Sequence, residues 1–186
     1  MTQAPVTIPR YVAGTWSIDP VHSDVSFYVR HMMVSKVRGQ FTEFDAVLTT
    51  AADPLDSHVE ATIKLDSIST RNEQRDNHIR SADFFQVDQY PEMTYASTGV
   101  RFNGDDIVVD GELTLKGITQ SVPLSVELSG FGPDAYGGTR AGFSATATIN
   151  RKDFDVNFQI PMEGGGVVIG DKVTINIEAE FVLRTV

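Results

Sequence analysis

The sequence predicts an all-β fold: a single antiparallel barrel of approximately eight strands carrying one short helical insert between strands. Three observations predict it. Apolar and polar residues alternate along most of the chain, short turn signals separate the alternating runs, and one stretch from Ser67 to Pro91 breaks the pattern with helix-start chemistry.

Val25, Phe27 and Val29 open the series with the period of two that gives a strand one buried face. If that strand persists, His31 and Met33 continue its inward side. Phe41 shares an odd-numbered face with Val37, whereas Phe44, Ala46 and Leu48 fall on even numbers, so a β-bulge is expected between them. Val59, Ala61, Ile63 and Leu65 then alternate with His58, Glu60, Thr62 and Lys64. The pattern returns in Ile107, Val109, Leu113 and Leu115, and again in Val122, Leu124, Val126 and Leu128. It closes with Ala141, Phe143, Ala145, Ala147 and Ile149, followed by the run from Val173 through Ile175 and Ile177 to Leu183. Asn103-Gly104-Asp105-Asp106 reads as a hairpin turn and Lys116-Gly117 punctuates the next pair, so the connections imply an antiparallel meander.

In the insert, Thr70-Arg71-Asn72-Glu73 has the form of a capping box, with Thr70 capping a helix that runs to Arg80 and Glu73 reaching back to the Thr70 amide. Ser81 is placed to cap a second turn through Phe85, and Pro91 ends the excursion. Lying between strands, the insert is expected across one end of the barrel as plug, lid or portal.

A chain of 186 residues, 41% hydrophobic, suits one domain, with residues 1–11 as an N-terminal extension and 12–186 as the barrel. The net charge of −10 argues against non-specific binding to nucleic acid or to an anionic membrane, both of which need basic patches. With no cysteine there is no disulfide framework, thiolate nucleophile or cysteine-based zinc site. Met1 to Ala13 lacks the basic start and apolar stretch of a secretory signal, and no segment reaches the ~20 apolar residues of a membrane span, so a cytoplasmic protein without stable membrane insertion is expected.

Barrels of about eight strands either fill with side chains or enclose one small ligand. The inward strand rich in alanine (Ala141, Ala145, Ala147), together with Gly39 and Gly111 on other inner faces, leaves apolar volume suited to a greasy guest. The candidate tunnel lining is Phe27, Val29 and Met33 from the first run, then Phe41 and Ile63. Leu113 and Leu115 follow, then Phe143, Ala145, Ile149 and Ile175, with Phe84 and Phe85 from the insert. The plainer reading of the same residues is a packed core.

The runs Trp16-Ser17-Ile18-Asp19-Pro20-Val21-His22-Ser23, Phe27-Tyr28-Val29-Arg30-His31-Met32-Met33-Val34-Ser35 and Val37-Arg38-Gly39-Gln40-Phe41 resemble the opening of the YceI-like family. Ser67 to Asn72, Arg75 to Phe85, Tyr90-Pro91 and Gly111 to Gly117 resemble its later motifs, in order, and the likeness runs from Trp16 to the end. The resemblance implies a lipocalin-like barrel holding isoprenoid, quinone-like or fatty-chain amphiphiles in an elongated apolar tunnel, with no chemistry performed on them. One departure is Asp155, where the family usually has Gly, close to the loop from Asn157 to Gly166.

Among polar residues, His58 reads as a surface residue and His22 as part of an Asp19-Pro20-Val21-His22-Ser23 turn. His31, Arg71, Arg75 and His78 are the candidate head-group contacts, Arg71 and Arg75 standing four apart on a helix face. Their alternative is a backbone-satisfied core histidine and a solvated helix face. The chain has no G-x-S-x-G, Walker loop, H-E-x-x-H or dinucleotide fingerprint, and Gly164-Gly165-Gly166 lacks the residues a phosphate loop needs. Binding, carriage or storage of a small amphiphile is therefore expected, with no enzyme activity, cofactor or metal, and with a possible homodimer. Two alternatives stand beside it: sequestration of toxic lipophilic compounds such as antibiotics, and a metal or haem enzyme using His31, His78 and nearby carboxylates.

Overall fold

The computed structural model describes residues 7–104 and 106–186. Its strands are β1 (Gly14–Ile18), β2 (Asp24–His31), β3 (Ser35–Phe41), β4 (Phe44–Thr50), β5 (His58–Lys64), β6 (Ile68–Ser69), β7 (Glu92–Asn103), β8 (Asp106–Leu115), β9 (Ile118–Ser121), β10 (Leu124–Pro133), β11 (Thr139–Asn150) and β12 (Ile169–Leu183). One helix, α1 (Glu73–Arg80), lies between β6 and β7. Eight strands close a ring in the order β1-β4-β5-β7-β8-β10-β11-β12, with β12 pairing back onto β1, and every pairing is antiparallel. No helix of the described residues is long and apolar enough to cross a membrane.

The first four strands form one long hairpin broken in the middle. Ser17 pairs with Val47, and beyond the break Val25 pairs with Phe41, so β1 and β2 both lie along the fifteen-residue β12. The phase change expected as a bulge after Phe41 is instead a corner at Thr42-Glu43. There β3 leaves its partners β2 and β6, and β4 takes up β1 and β5. The Ser67 hydroxyl accepts from both freed amides, Thr42 N at 3.1 Å and Glu43 N at 3.0 Å, which makes the break tolerable. Register shifts do bend the sheet elsewhere, at Ser97/Gly99, at Leu128/Gly130 and at Ile169/Val173.

The hairpin expected at residues 103–106 forms, with Asn103 paired to Asp106 and Gly104 at φ +66; Asp105 lies outside the described residues. The cap of α1 is not Thr70. Asn72 occupies the N-cap and its side chain accepts from Arg75 N at 2.9 Å. Arg71, at φ +61, turns the chain so that Thr70 is buried before the helix begins. The buried Asp76 carboxylate accepts from both the Thr70 amide (2.8 Å) and hydroxyl (2.6 Å). Ser81 ends α1 rather than starting a second one: its hydroxyl donates to His78 O at 2.6 Å, and turns carry the chain on to Phe85.

Side chains fill the barrel in two clusters. The lower one gathers Phe41, Leu65, Ile68, Phe84, Leu115 and Phe154, with Phe85 and Ile79 packed against it. The insert therefore plugs the lower end. The upper cluster joins Trp16, Ala46, Phe131, Ala141 and Phe181, and Ile8, Tyr11 and Val12 of the N-terminal segment pack onto it.

Candidate functional site: an apolar cavity between two packed ends

An apolar cavity of about 240 Å³ lies inside the barrel. β5 contributes Val59, Ala61 and Ile63 to its wall, the hairpin of β7 and β8 contributes Val100, Phe102, Ile107, Val109 and Leu113, and β10 contributes Leu124, Val126 and Leu128. Phe143, Ala145, Ile175, Ile177 and Ala179 supply the opposite side, where Ala145 stands between Val126 and Ile177 in register. Ile8, Tyr11, Pro54 and Ser57 close the upper end. No residue from 65 to 91 reaches it.

Of the polar side chains that line the cavity, those of Tyr11, Thr50, Ser57 and Tyr95 are committed to the protein, and exposed Asp45 accepts from the Ala46 amide at 2.9 Å. Tyr11 Oη donates to Ala51 O at 2.8 Å and meets Ser57 Oγ at 3.1 Å. Thr50 Oγ1 accepts from Trp16 Nε1 at 2.8 Å and donates to Val12 O at 2.7 Å. Tyr95 Oη donates to Val122 O at 2.9 Å, and burial pushes its phenol above the usual tyrosine value, with the Asp110 charge adding to it. Among the described residues no buried side-chain donor or acceptor lacks a partner. The wall thus offers mainly dispersion contacts, so it discriminates between guests chiefly by shape and length.

Of the tunnel residues expected from sequence, Ile63, Leu113, Phe143, Ala145 and Ile175 line this cavity. Phe27, Phe41, Phe84, Phe85, Leu115 and Ile149 belong to the packed lower cluster instead. Val29 sits half-buried on β2 opposite Val37 and Val173, outside the cavity lining. Met33 is 63% exposed, because β2 ends at His31 and Met33 enters the following turn at φ +60.

The glycines expected to leave volume do the opposite. A Cβ on Gly39 would stand 2.5 Å from the Phe27 ring, and one on Gly111 would stand 2.3 Å from Tyr95 Oη. Each glycine is the slot into which an aromatic ring packs. Ala141 and Ala147 likewise lie against the upper and lower clusters, so among the three alanines of β11 only Ala145 faces open space.

The four head-group candidates do not converge on the cavity. Arg75 clamps its own turn, Nε donating to Thr70 Oγ1 at 2.7 Å and Nη2 to Thr70 O at 2.8 Å. His78 Nε2 meets Asp83 Oδ2 at 2.7 Å while its ring stacks edge-on to Phe84 and Phe158. Arg71 is exposed, and half-buried His31 ends β2 opposite Ser35 and Ile169.

A residue whose role the sequence did not disclose is Arg151. It is 4% exposed, and its Nη1 donates to Val156 O at 2.7 Å and Phe158 O at 2.9 Å, while Nε donates to Gly170 O at 3.0 Å. It pins both ends of the loop at residues 157–168. Asp155 keeps a left-handed backbone at φ +57, the conformation a glycine would supply, so the loop's entry survives the departure.

Asp19, His22 and Glu180 form the one grouping of three potential metal ligands among the described residues. Arg140 already joins it, Nη1 donating to Asp19 Oδ2 at 2.7 Å and to Glu180 Oε1 at 2.5 Å. The His22 hydrogen bond, reinforced by Arg140, holds the Asp19 carboxyl well below the usual carboxylate range. The arrangement is an ion-pair network that fixes the turn at residues 19–23, the role expected for His22.

A YceI-like domain profile matches residues 16–181. The chain belongs to the YceI-like family. A UPF0312 protein of Staphylococcus epidermidis is 39% identical over 168 residues, 89% of this chain and 96% of its own length. A second UPF0312 protein, from Staphylococcus aureus, is 38% identical over the same span. Among solved YceI-like structures, the Campylobacter jejuni YceI protein is 28% identical with a TM-score of 0.70, covering 84% of this chain and 90% of its own. A polyisoprenoid binding domain from Saccharophagus degradans, 18% identical with a TM-score of 0.65, covers 93% of this chain and all of its own, and shares the YceI-like barrel.

Proposed function

We propose that this YceI-like protein binds the hydrocarbon tail of a long-chain amphiphile, isoprenoid or similar, and carries or stores it without chemical change. The observation that carries the reading is the cavity of about 240 Å³, lined almost wholly by apolar side chains, with no buried side-chain donor or acceptor left unpartnered among the described residues. Such a wall stabilises a tail chiefly by burial. The description of the Saccharophagus degradans domain as polyisoprenoid-binding supports the ligand class by analogy of fold.

The test is organic extraction and native mass spectrometry of freshly purified protein, followed by titration with a labelled isoprenoid alcohol. A co-purifying apolar compound or saturable uptake is expected. Empty protein that also refuses the added isoprenoid overturns the reading. The lack of polar discrimination also favours a second role, capture of diverse lipophilic compounds. Broad uptake of unrelated apolar molecules at similar affinity supports that role, and strict dependence on one chain length counts against it.

A further inference from the structure

Seven large apolar side chains stand exposed among the described residues, and four of them, Met32, Met33, Val34 and Ile160, come from two neighbouring turns. The turn between β2 and β3 carries the first three, and the 157–168 loop carries Ile160 and Met162. Backbone bonds join the turns: Met32 N donates to Val168 O at 2.8 Å, and Val168 N donates to Ile160 O at 3.2 Å. A Cβ built on Gly166 would fall 2.8 Å from Met33 Sδ and 4.0 Å from Met162 Sδ, so the methionines share one apolar tip.

Beside this tip the near end of the outward face of β2, β3 and β12 is basic. Arg30 pairs directly opposite Lys36, and Tyr28 opposite Arg38. Lys36 Nζ lies 4.2 Å from the centre of the Tyr28 ring and Arg38 5.6 Å from it. Lys172 completes the set: with Lys36 it contributes positive charge that, after the hydrogen bond with Thr174, helps to lower the Tyr28 phenol's pKa. None of Arg30, Lys36, Arg38 and Lys172 has a salt-bridge partner among the described residues. Acidic residues nearby are Glu163 on the loop and Asp171, which is taken by Arg151 and Lys152, and farther along the same face Asp24 stands opposite Glu178. In a chain of net charge −10, four unpaired cations next to an exposed apolar tip are a local reversal of sign.

We infer that this end of the barrel docks peripherally on an anionic lipid surface, the Met32–Val34 tip and Ile160 entering between head groups while Arg30, Lys36, Arg38 and Lys172 meet lipid phosphates. The chain's overall acidity does not oppose this, because contact is made through one face within a Debye length. A second copy fits the patch poorly: a two-fold interface sets the same cations against themselves. The inference is independent of what the cavity holds.

Co-sedimentation of the full chain with vesicles of phosphatidylcholine, with and without phosphatidylglycerol, tests it. Binding is expected only to the anionic vesicles and falls as salt rises. Replacing two cations by glutamine, Lys36→Gln with Arg38→Gln, weakens binding about thirtyfold at roughly fivefold per cation. Met32→Ser with Val34→Ser, both exposed, abolishes the remaining insertion while the melting temperature stays unchanged. Equal binding to neutral vesicles, no binding at low salt, or binding indifferent to both double variants overturns the inference. A concentration-dependent dimer broken by the tip variants, in protein that ignores vesicles, overturns it in favour of a second copy.

Discussion

Ala145→Trp places an indole in the cavity between Val126 and Ile177. At roughly 30 Å³ for each water-sized unit, the cavity of about 240 Å³ accommodates about eight methylenes. At about 0.8 kcal/mol each, these contribute about 6 kcal/mol of gross burial before ordering costs. At interior packing density an indole takes roughly half that room, displacing about four methylenes, so binding weakens by about 3 kcal/mol, two orders of magnitude in Kd. The fold itself gains contacts in space that was open, so the melting temperature holds or rises. The assay is titration of a fluorescent isoprenoid analogue into wild type and variant, alongside thermal melts. A variant that melts like the wild type and binds with unchanged affinity refutes the assignment of the tail to this cavity.

Arg151→Met leaves the carbonyls of Val156, Phe158 and Gly170 without their donor. Urea unfolding should show a loss of about 3 kcal/mol, and limited proteolysis should cut first within residues 157–168. Gly111→Ala drives the Tyr95 ring from its slot and breaks its bond to Val122 O, costing about 2 kcal/mol; Gly111→Ala with Tyr95→Leu recovers part of that in the same denaturation assay. Asp19 titrates below its unfolded value because His22 and Arg140 hold the ionised form. Its stabilisation is therefore full above about pH 5 and is lost as pH falls through the unfolded value toward the depressed folded one. Asp19→Asn lowers the melting temperature at neutral pH and shrinks its fall on acidification. An unaltered acid slope contradicts the network.

The barrel was legible because, between its register shifts, inner and outer faces alternate with a period of two. Val59, Ala61 and Ile63 face in while His58, Glu60 and Lys64 face water, and a slip of one residue would invert them all. Details that depend on three-dimensional partners were not. A phase change looks the same in sequence whether a bulge or a corner produces it, and only the Ser67 hydroxyl on a distant turn decides for the corner. A capping box at Thr70 and an Asn72 cap use the same local alphabet, and the choice falls to the buried Asp76. Small inner residues suggested space, but Gly39 stands opposite Phe27 and Gly111, opposite Ser97, lies against the Tyr95 ring, and those two rings consume it. The contribution of Tyr11 and Ile8 to the cavity had no periodic signal at all, since they precede the first strand.

The broken front hairpin sets the barrel's mechanics. β11 and β12 run paired from Arg140–Val182 to Asn150–Lys172 without interruption, so the back wall is a stiff spine. The front wall crosses the same height as two short segments joined at residues 19–23 and 42–43, where the Asp19–Arg140 network and the Ser67 hydroxyl take the place of continuous strand pairing. If the barrel takes a tail longer than its cavity, this two-part front wall, rather than the continuous β11–β12 pair, is where the sheet has joints at which to widen.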